Sequence, residues 1–431
     1  MSRDRRDTLR ALFDAAVAAA HPDRCLPPHL PEPPEGDIVV LAAGKAAGSM
    51  AAAAERHYLD TRGLPPGRVR GLAVARYGYG RPTRAIRMVE AAHPVPDAAG
   101  VAATEKALEL AASAGPDDLV LVLLSGGGSA LWIAPAAGVS LRAKQALTRT
   151  LLASGARIGE INTVRRHLSR IKGGRLSATA HPAPLLTLAI SDVAGDEPAA
   201  IASGPTVADP TTLADARSIL AAYGIAPGPE IEAALSDPAN ETPKPGDPRL
   251  AGNEYRLVAT PAMALAAAEE RARDLGFEAE VLGSDLEDDA RDLAGDHADL
   301  ARKCADRGRK VAILSGGEAT VTLRGRGRGG PNQEFALALA IALHGRPGIW
   351  GLAGDTDGTD GGGGSADDPA GAVVTPDTLD RATRLGLDAD SFLEDNDSTG
   401  FFERLGDLLV PGPTFTNVND FRAVIVDTNA D

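Results

Sequence analysis

Cysteine, aromatic residues and net positive charge are what this 431-residue chain has least of. Its two cysteines, Cys25 and Cys304, cannot build a disulfide framework and have no CxxC neighbour, which excludes a cysteine zinc cluster and suits a reducing compartment. Aromatic residues make up 3% of the chain, so the sequence shows no aromatic clamp for a flat ligand. The formal charge of -15 leaves no basic surplus to release counterions from a phosphate backbone, which argues against nonspecific nucleic-acid binding. A local basic pocket for a small anion stays allowed. Long apolar runs are missing too. None approaches the roughly 20 residues that span a bilayer, and the amino-terminal stretch SRDRRDTLRALFD mixes acids with arginines. The expected location is the cytoplasm, with no membrane partner.

What the chain does have is short, near-continuous apolar runs alternating with helical stretches. The first runs fall at 37–44, 69–78, 85–92, 118–126 and 185–191. Strands covered on both faces read this way, and the alternation is the α/β signature. A proline-rich, charged stretch from Ser236 to Leu250 breaks the pattern and is the linker expected between two domains. After it, Thr260 is placed to cap a helix that opens at Pro261 and stops at Gly276. The expected division is residues 1–240 and 241–431.

Two apolar runs, one in each half, empty into the same kind of loop. VLVLLSGGGSALW carries Ser125, Gly126, Gly127, Gly128 and Ser129; VAILSGGEATVT carries Ser315, Gly316, Gly317 and Glu318. A strand that stops at Ser-Gly-Gly exposes backbone amides where glycines can take positive φ, a setting that suits phosphate. Lys45 in VVLAAGKAAGSM follows a strand and a glycine where a helix begins, so its ammonium can meet a phosphate there. The next residue is Ala46 rather than Ser or Thr, and this is not a P-loop. Arg165, Arg166, Lys172 and Arg175 surround a Gly-Gly turn and form either a face paired with carboxylates or an anion pocket.

Acidic loops follow other apolar runs. Asp192 comes directly after LLTLAIS, where open α/β sheets meet ligands, and can serve as a magnesium ligand or as the base for a hydroxyl. Asp355, Asp357 and Asp360 in GDTDGTDG resemble the start of a calcium hand but have Ala366 rather than glutamate at its twelfth position; the three aspartates remain metal or nucleotide candidates. A literal GxGxxG at Gly325, Gly327 and Gly330 follows a polar TLR, so its dinucleotide reading is poor and a mobile basic loop fits better. Glycine cradles together with aspartates point to phosphoryl transfer.

The order of motifs GKAAGSMA, AAHPVPDAAG, LVLLSGGGSALW, INTVRRHLSRIKGGRLS, ISDVAGDEPAAIASGPT, LSGGEATVT, GRGGPNQEFALALA and GDTDGTDGGGGSADDPAGAVV resembles the type II glycerate kinases over nearly the whole chain. That resemblance implies two three-layer α/β/α, Rossmann-like domains with a cleft between them, the second being the MOFRL domain. It implies ATP- and Mg2+-dependent phosphorylation of D-glycerate at the 2-hydroxyl, giving 2-phosphoglycerate. Lys45, Asp192 and Arg328 are then the expected catalytic residues. The segments holding Ser125–Ser129, Ser315–Glu318 and Asn332 are expected to bind substrate or phosphate, with Arg165, Arg166 and Lys172 for the glycerate carboxylate. Asp192, Asp355 and Asp357 are the expected metal ligands. Pro331 stands where many members have an arginine, and Arg326 or Arg328 is the candidate replacement for that charge. A homodimer is allowed. The rival readings are a hydroxypyruvate reductase, which needs a dinucleotide fingerprint, and a noncatalytic phosphate receptor, which has no use for the aspartates.

Overall fold

The computed structural model describes residues 5–362 and 367–428. The chain divides into two compact units, Cys25–Val258 and the residues on either side of that span.

The first unit is built on six strands: β1 (Ile38–Ala43), β2 (Val69–Arg76), β3 (Ile86–Ala91), β4 (Leu119–Leu124), β5 (Leu185–Ile190) and β6 (Glu254–Ala259), in the order β3-β2-β1-β4-β5-β6. The pairs β1–β2, β2–β3, β1–β4 and β4–β5 are all parallel. Every residue of β1 is buried, as the unbroken apolar run predicts for a strand covered on both faces. The chain winds outward from β1 to β3 and then restarts on the other side of β1. The connections after β1 and β4 therefore leave in opposite directions and open a crevice at the carboxyl ends of these strands, the usual ligand address in such sheets. Ala43 pairs with Leu124, and Leu124 with Ala189, so Lys45, Ser125 and Asp192 emerge along one sheet edge.

The second unit carries β7 (Glu278–Gly283), β8 (Val311–Gly317), β9 (Ile349–Asp355), β10 (Gly371–Val374), β11 (Leu408–Leu409) and β12 (Asp420–Val426), in the order β11-β10-β9-β12-β8-β7. β12 lies antiparallel between β8 and β9. Helices Ala290–Asp306 and Pro331–Leu343 pack into one core with these strands. Thr260 caps helix Pro261–Asp274 as expected, its hydroxyl accepting from Met263 N at 3.2 Å.

Two features differ from the expected division at residue 240. Helix Arg5–Ala20 belongs to the second unit, because Leu9, Leu12, Phe13 and Ala16 are buried there and Phe13 meets Phe421 edge-on at 6.0 Å. Arg6 adds an ion pair to Asp407 at 2.8 Å. The proline-rich stretch is no free linker either. Glu241 in it accepts from Leu213 N at 3.1 Å and lies 3.1 Å from His167 Nε2, and β6 follows it in the first sheet. No helix among the described residues is long and apolar enough to cross a membrane.

Candidate functional site

The loops after β1 and β4 are locked together. Lys45 N donates to Gly126 O at 2.8 Å, and Ala46 N to Ser125 Oγ at 2.9 Å. Ser125 is fully buried, and its hydroxyl holds the β1 loop through Ala46 N. Gly127 takes φ +78, and a Cβ there would sit 2.9 Å from His93 Nε2 and 3.4 Å from Lys45 Cγ. Only glycine lets Lys45 and His93 close over this turn.

Beside the turn is a cavity of about 340 Å3 lined by His93, Gly127, Ser129, Lys144, Arg165 and Lys172 together with aliphatic side chains. Lys172 is 1% exposed and donates from Nζ to Ser129 O at 2.7 Å and Ser129 Oγ at 3.1 Å. Ser129 Oγ is in turn 2.8 Å from Ser203 Oγ. Lys144, 4% exposed, donates to the carbonyl oxygens of Leu168 and Arg165. Among the described residues no carboxylate forms an ion pair with Lys144, Arg165 or Lys172. Burial, reinforced by Arg165 and Arg175, pushes the Lys144 ammonium down to about 7. Burial, then Lys144 and Arg165, pushes Lys172 well below its ordinary value, and burial lowers Arg165. Buried charges without partners are costly, and an anionic ligand is what offsets such a cost.

Of the expected anion cluster, Arg165 and Lys172 thus reach the cavity. Arg166 does not: its Nε lies 3.4 Å from Asp209 Oδ2 and its Nη2 donates to Thr163 Oγ1 at 3.4 Å. Successive residues on helix Ile158–His167 point about 100° apart, so neighbours in sequence face different partners. Lys144 and His93 were missed. The available signal for Lys144 is its place with Leu147 and Leu151 on the buried stripe of helix Leu141–Ala153. Asp192 is half-buried just past β5.

In the second unit the SGGE segment is not an open cradle. Ser315 is buried with Oγ 2.8 Å from His297 Nε2, and Gly316 and Gly317 pair with Phe421 and Asp420 inside the sheet. A Cβ at Gly317 would meet Leu286 N at 2.3 Å, so this glycine admits a neighbouring backbone. Glu318 is exposed. Asn332 is a strut: its Nδ2 donates to Asp420 Oδ1 at 2.6 Å and Asp360 Oδ1 at 3.2 Å. Asp360 also accepts from Asn332 N at 3.0 Å and Gln333 N at 2.8 Å.

Asp357 is 1% exposed, and its Oδ1 accepts from Thr359 N at 2.8 Å and Thr359 Oγ1 at 3.1 Å; Asp355 Oδ1 accepts from Asp357 N at 2.8 Å. The pair shapes a turn. Among the described residues no three His, Cys, Asp or Glu side chains gather as a metal site. Arg328 sits at the surface, its Nη2 on Glu403 Oε2 at 2.7 Å. The glycine loop around it is not mobile by construction. Cβ atoms at Gly325 and Gly327 would each come within 2.3 Å of Asp395 or Asp397, and Arg326 N and Arg328 N donate to those carboxylates at 3.1 and 3.0 Å. Pro331, the residue noted as standing in place of an arginine, opens helix Pro331–Leu343.

Two family models match the chain: a domain of unknown function, DUF4147, over residues 8–236, and the MOFRL family over residues 311–420. A protein of Agrobacterium vitis named a putative hydroxypyruvate reductase is 50% identical over 98% of this chain and 94% of its own length. The D-glycerate 2-kinase of Thermotoga maritima is 39% identical over 94% of both chains. A crystal structure of a glycerate kinase from Thermotoga maritima superposes with a TM-score of 0.87 at 37% identity, covering 98% of this chain and all of that one.

Proposed function

Because the chain belongs to the glycerate kinase family that joins a DUF4147 domain to a MOFRL domain, we propose that it transfers the γ-phosphoryl group of ATP to the 2-hydroxyl of D-glycerate, giving 2-phosphoglycerate and ADP. The observation that carries this reading from the geometry is the cavity beside the Gly127 turn, which holds Lys144, Arg165 and Lys172 with no carboxylate paired to them among the described residues. Only a bound anion balances that charge. In the transfer, the glycerate O2–P bond forms, the bond from the γ-phosphorus to its bridging oxygen breaks, and the hydroxyl proton leaves to a base. We assign that role to Asp192, half-buried two residues past β5. Lys45, held over Gly127, stabilises the moving phosphoryl group.

In the second unit Asp355, half-buried at the end of β9, is an oxygen donor of the kind that suits magnesium, whereas Asp357 is committed to its turn. Magnesium bound with ATP would offset phosphate charge that repels the glycerate carboxylate. Two buried free cysteines accord with a cytoplasmic enzyme.

The name of the Agrobacterium relative favours a second reading, a hydroxypyruvate reductase. The first sheet has the strand order of dinucleotide-binding folds, but the loop after β1 reads GKAAGS and lacks the glycine fingerprint. The GxGxxG at Gly325–Gly330 is packed against Asp395 and Asp397, which leaves no close approach for a pyrophosphate. Purified protein with ATP, magnesium and D-glycerate should release ADP, with phosphorus NMR showing 2-phosphoglycerate. Failure to do so, with hydroxypyruvate oxidising NADH or NADPH instead, would overturn the kinase reading.

A further inference from the structure

The cavity beside Gly127 is larger and more apolar than a three-carbon acid requires. At about 340 Å3 it falls in the range of pockets that enclose whole cofactors, roughly 300–1,000 Å3. Its lining is of two kinds, the basic Lys144, Arg165 and Lys172 and the aliphatic Val95, Ile133, Leu141 and Leu152. Val95 is 59% exposed and Leu152 57% exposed, so two of the chain's bared large hydrophobic side chains line this one cavity. A single carboxylate would balance one of these three cations and leave the aliphatic lining in water. A di- or triphosphate on a flat apolar base would satisfy both kinds of lining.

We propose that this cavity, within the first unit, holds the adenine nucleotide, with its phosphates at Lys144, Arg165 and Lys172 and its base against Val95, Ile133, Leu141 and Leu152. Gln145 adds a polar contact for the base edge: its Nε2 donates one hydrogen to Pro96 O at 2.8 Å and keeps a second hydrogen and the acceptor Oε1 for a ligand. The base is gripped by aliphatic side chains alone, which accounts for a nucleotide site in a chain so poor in aromatics. The inference rests on the kinase reading for the identity of the nucleotide, and on the cavity for its place.

The test is photolabelling of the full-length protein with 8-azido-ATP, competed by ATP and mapped by mass spectrometry, alongside calorimetric titration with ADP and tripolyphosphate. Label on residues 93–96 or 141–152 is the expected result; competed label confined to residues 259–428 overturns the proposal while leaving the kinase reading intact. Leu152→Gln, on an exposed helix position, should raise the Kd for ADP about tenfold through lost apolar contact and leave that for tripolyphosphate within about twofold. Lys144→Met should weaken both. Leu152→Gln binding ADP like the wild type counts against the base position. If ADP release with glycerate is absent but the label lands as expected, the kinase reading falls and the nucleotide site stands.

Discussion

Lys172 donates its buried ammonium to the carbonyl oxygen of Ser129 at 2.7 Å and to the same residue's hydroxyl at 3.1 Å, and among the described residues no carboxylate shares it. This fastens the turn after β4 to the Gly173–Gly174 segment through a charge that rests on neutral oxygens. Such an arrangement sacrifices stability for an electropositive cavity, and its consequences can be measured.

Lys144→Met should make the protein more stable and less active. The folded-state value of about 7 lies below the unfolded 10.5, so between these pH values the unfolded chain binds more protons and wild-type stability rises with pH. Keeping the ammonium buried at pH 7 costs on the order of 4 kcal/mol. Urea denaturation at pH 7 and 9.5 should show a higher midpoint for the variant at pH 7 and a shallower rise towards pH 9.5. Lys172 shifts in the same direction, so some slope remains.

Lys45→Ala should lower kcat by about 10²–10³-fold, the usual loss for one electrostatic contact to a moving charge, with the fold intact. Near-normal turnover with unchanged circular dichroism would remove Lys45 from the mechanism.

His297 should make the protein acid-sensitive. Burial, with a smaller push from Arg422, holds its imidazole at about 4 against 6.5, so the unfolded chain takes up a proton first as pH falls. The stability this neutral ring contributes is complete above pH 6.5 and lost between 6.5 and 4, about 3 kcal/mol in all. In His297→Gln the chemical denaturation midpoint should change less over that window. An unchanged slope would show that other groups govern acid unfolding.

Gly327→Ala should destabilise by about 1–3 kcal/mol, because the added methyl would lie 2.3 Å from Asp397 Cβ and the loop must shift. Gly67→Ala, where nothing lies within 4 Å, is the control and should be close to neutral. Equal melting temperatures for the two variants would mean that the loop is not seated on residues 395–398.

The strand ends that carry Lys45, Ser125 and Asp192 were legible because a buried parallel strand announces itself as an apolar run and its ligand address follows from topology. The SGGE segment misled for the same reason. Ser-Gly-Gly after an apolar run reads as a cradle, yet β8 continues through it and pairs with β12, a strand more than a hundred residues later. Glycines in GRGRGG likewise signalled close approach correctly, but to Asp395 and Asp397 rather than to phosphate.

By itself the sequence determined the alternation of strands and helices, the Thr260 cap and the glycine turns, since periodicity, caps and positive φ depend on residues a few positions apart. Tertiary structure alone decided which charges stay unpaired. Arg165 and Arg166 are adjacent and chemically identical, but one turns to Asp209 and the other to a cavity that Lys144 and Lys172 complete from other segments. Helix Arg5–Ala20 joins the second unit by the same logic, because an apolar face specifies that it must be covered and leaves to the packed chain what covers it.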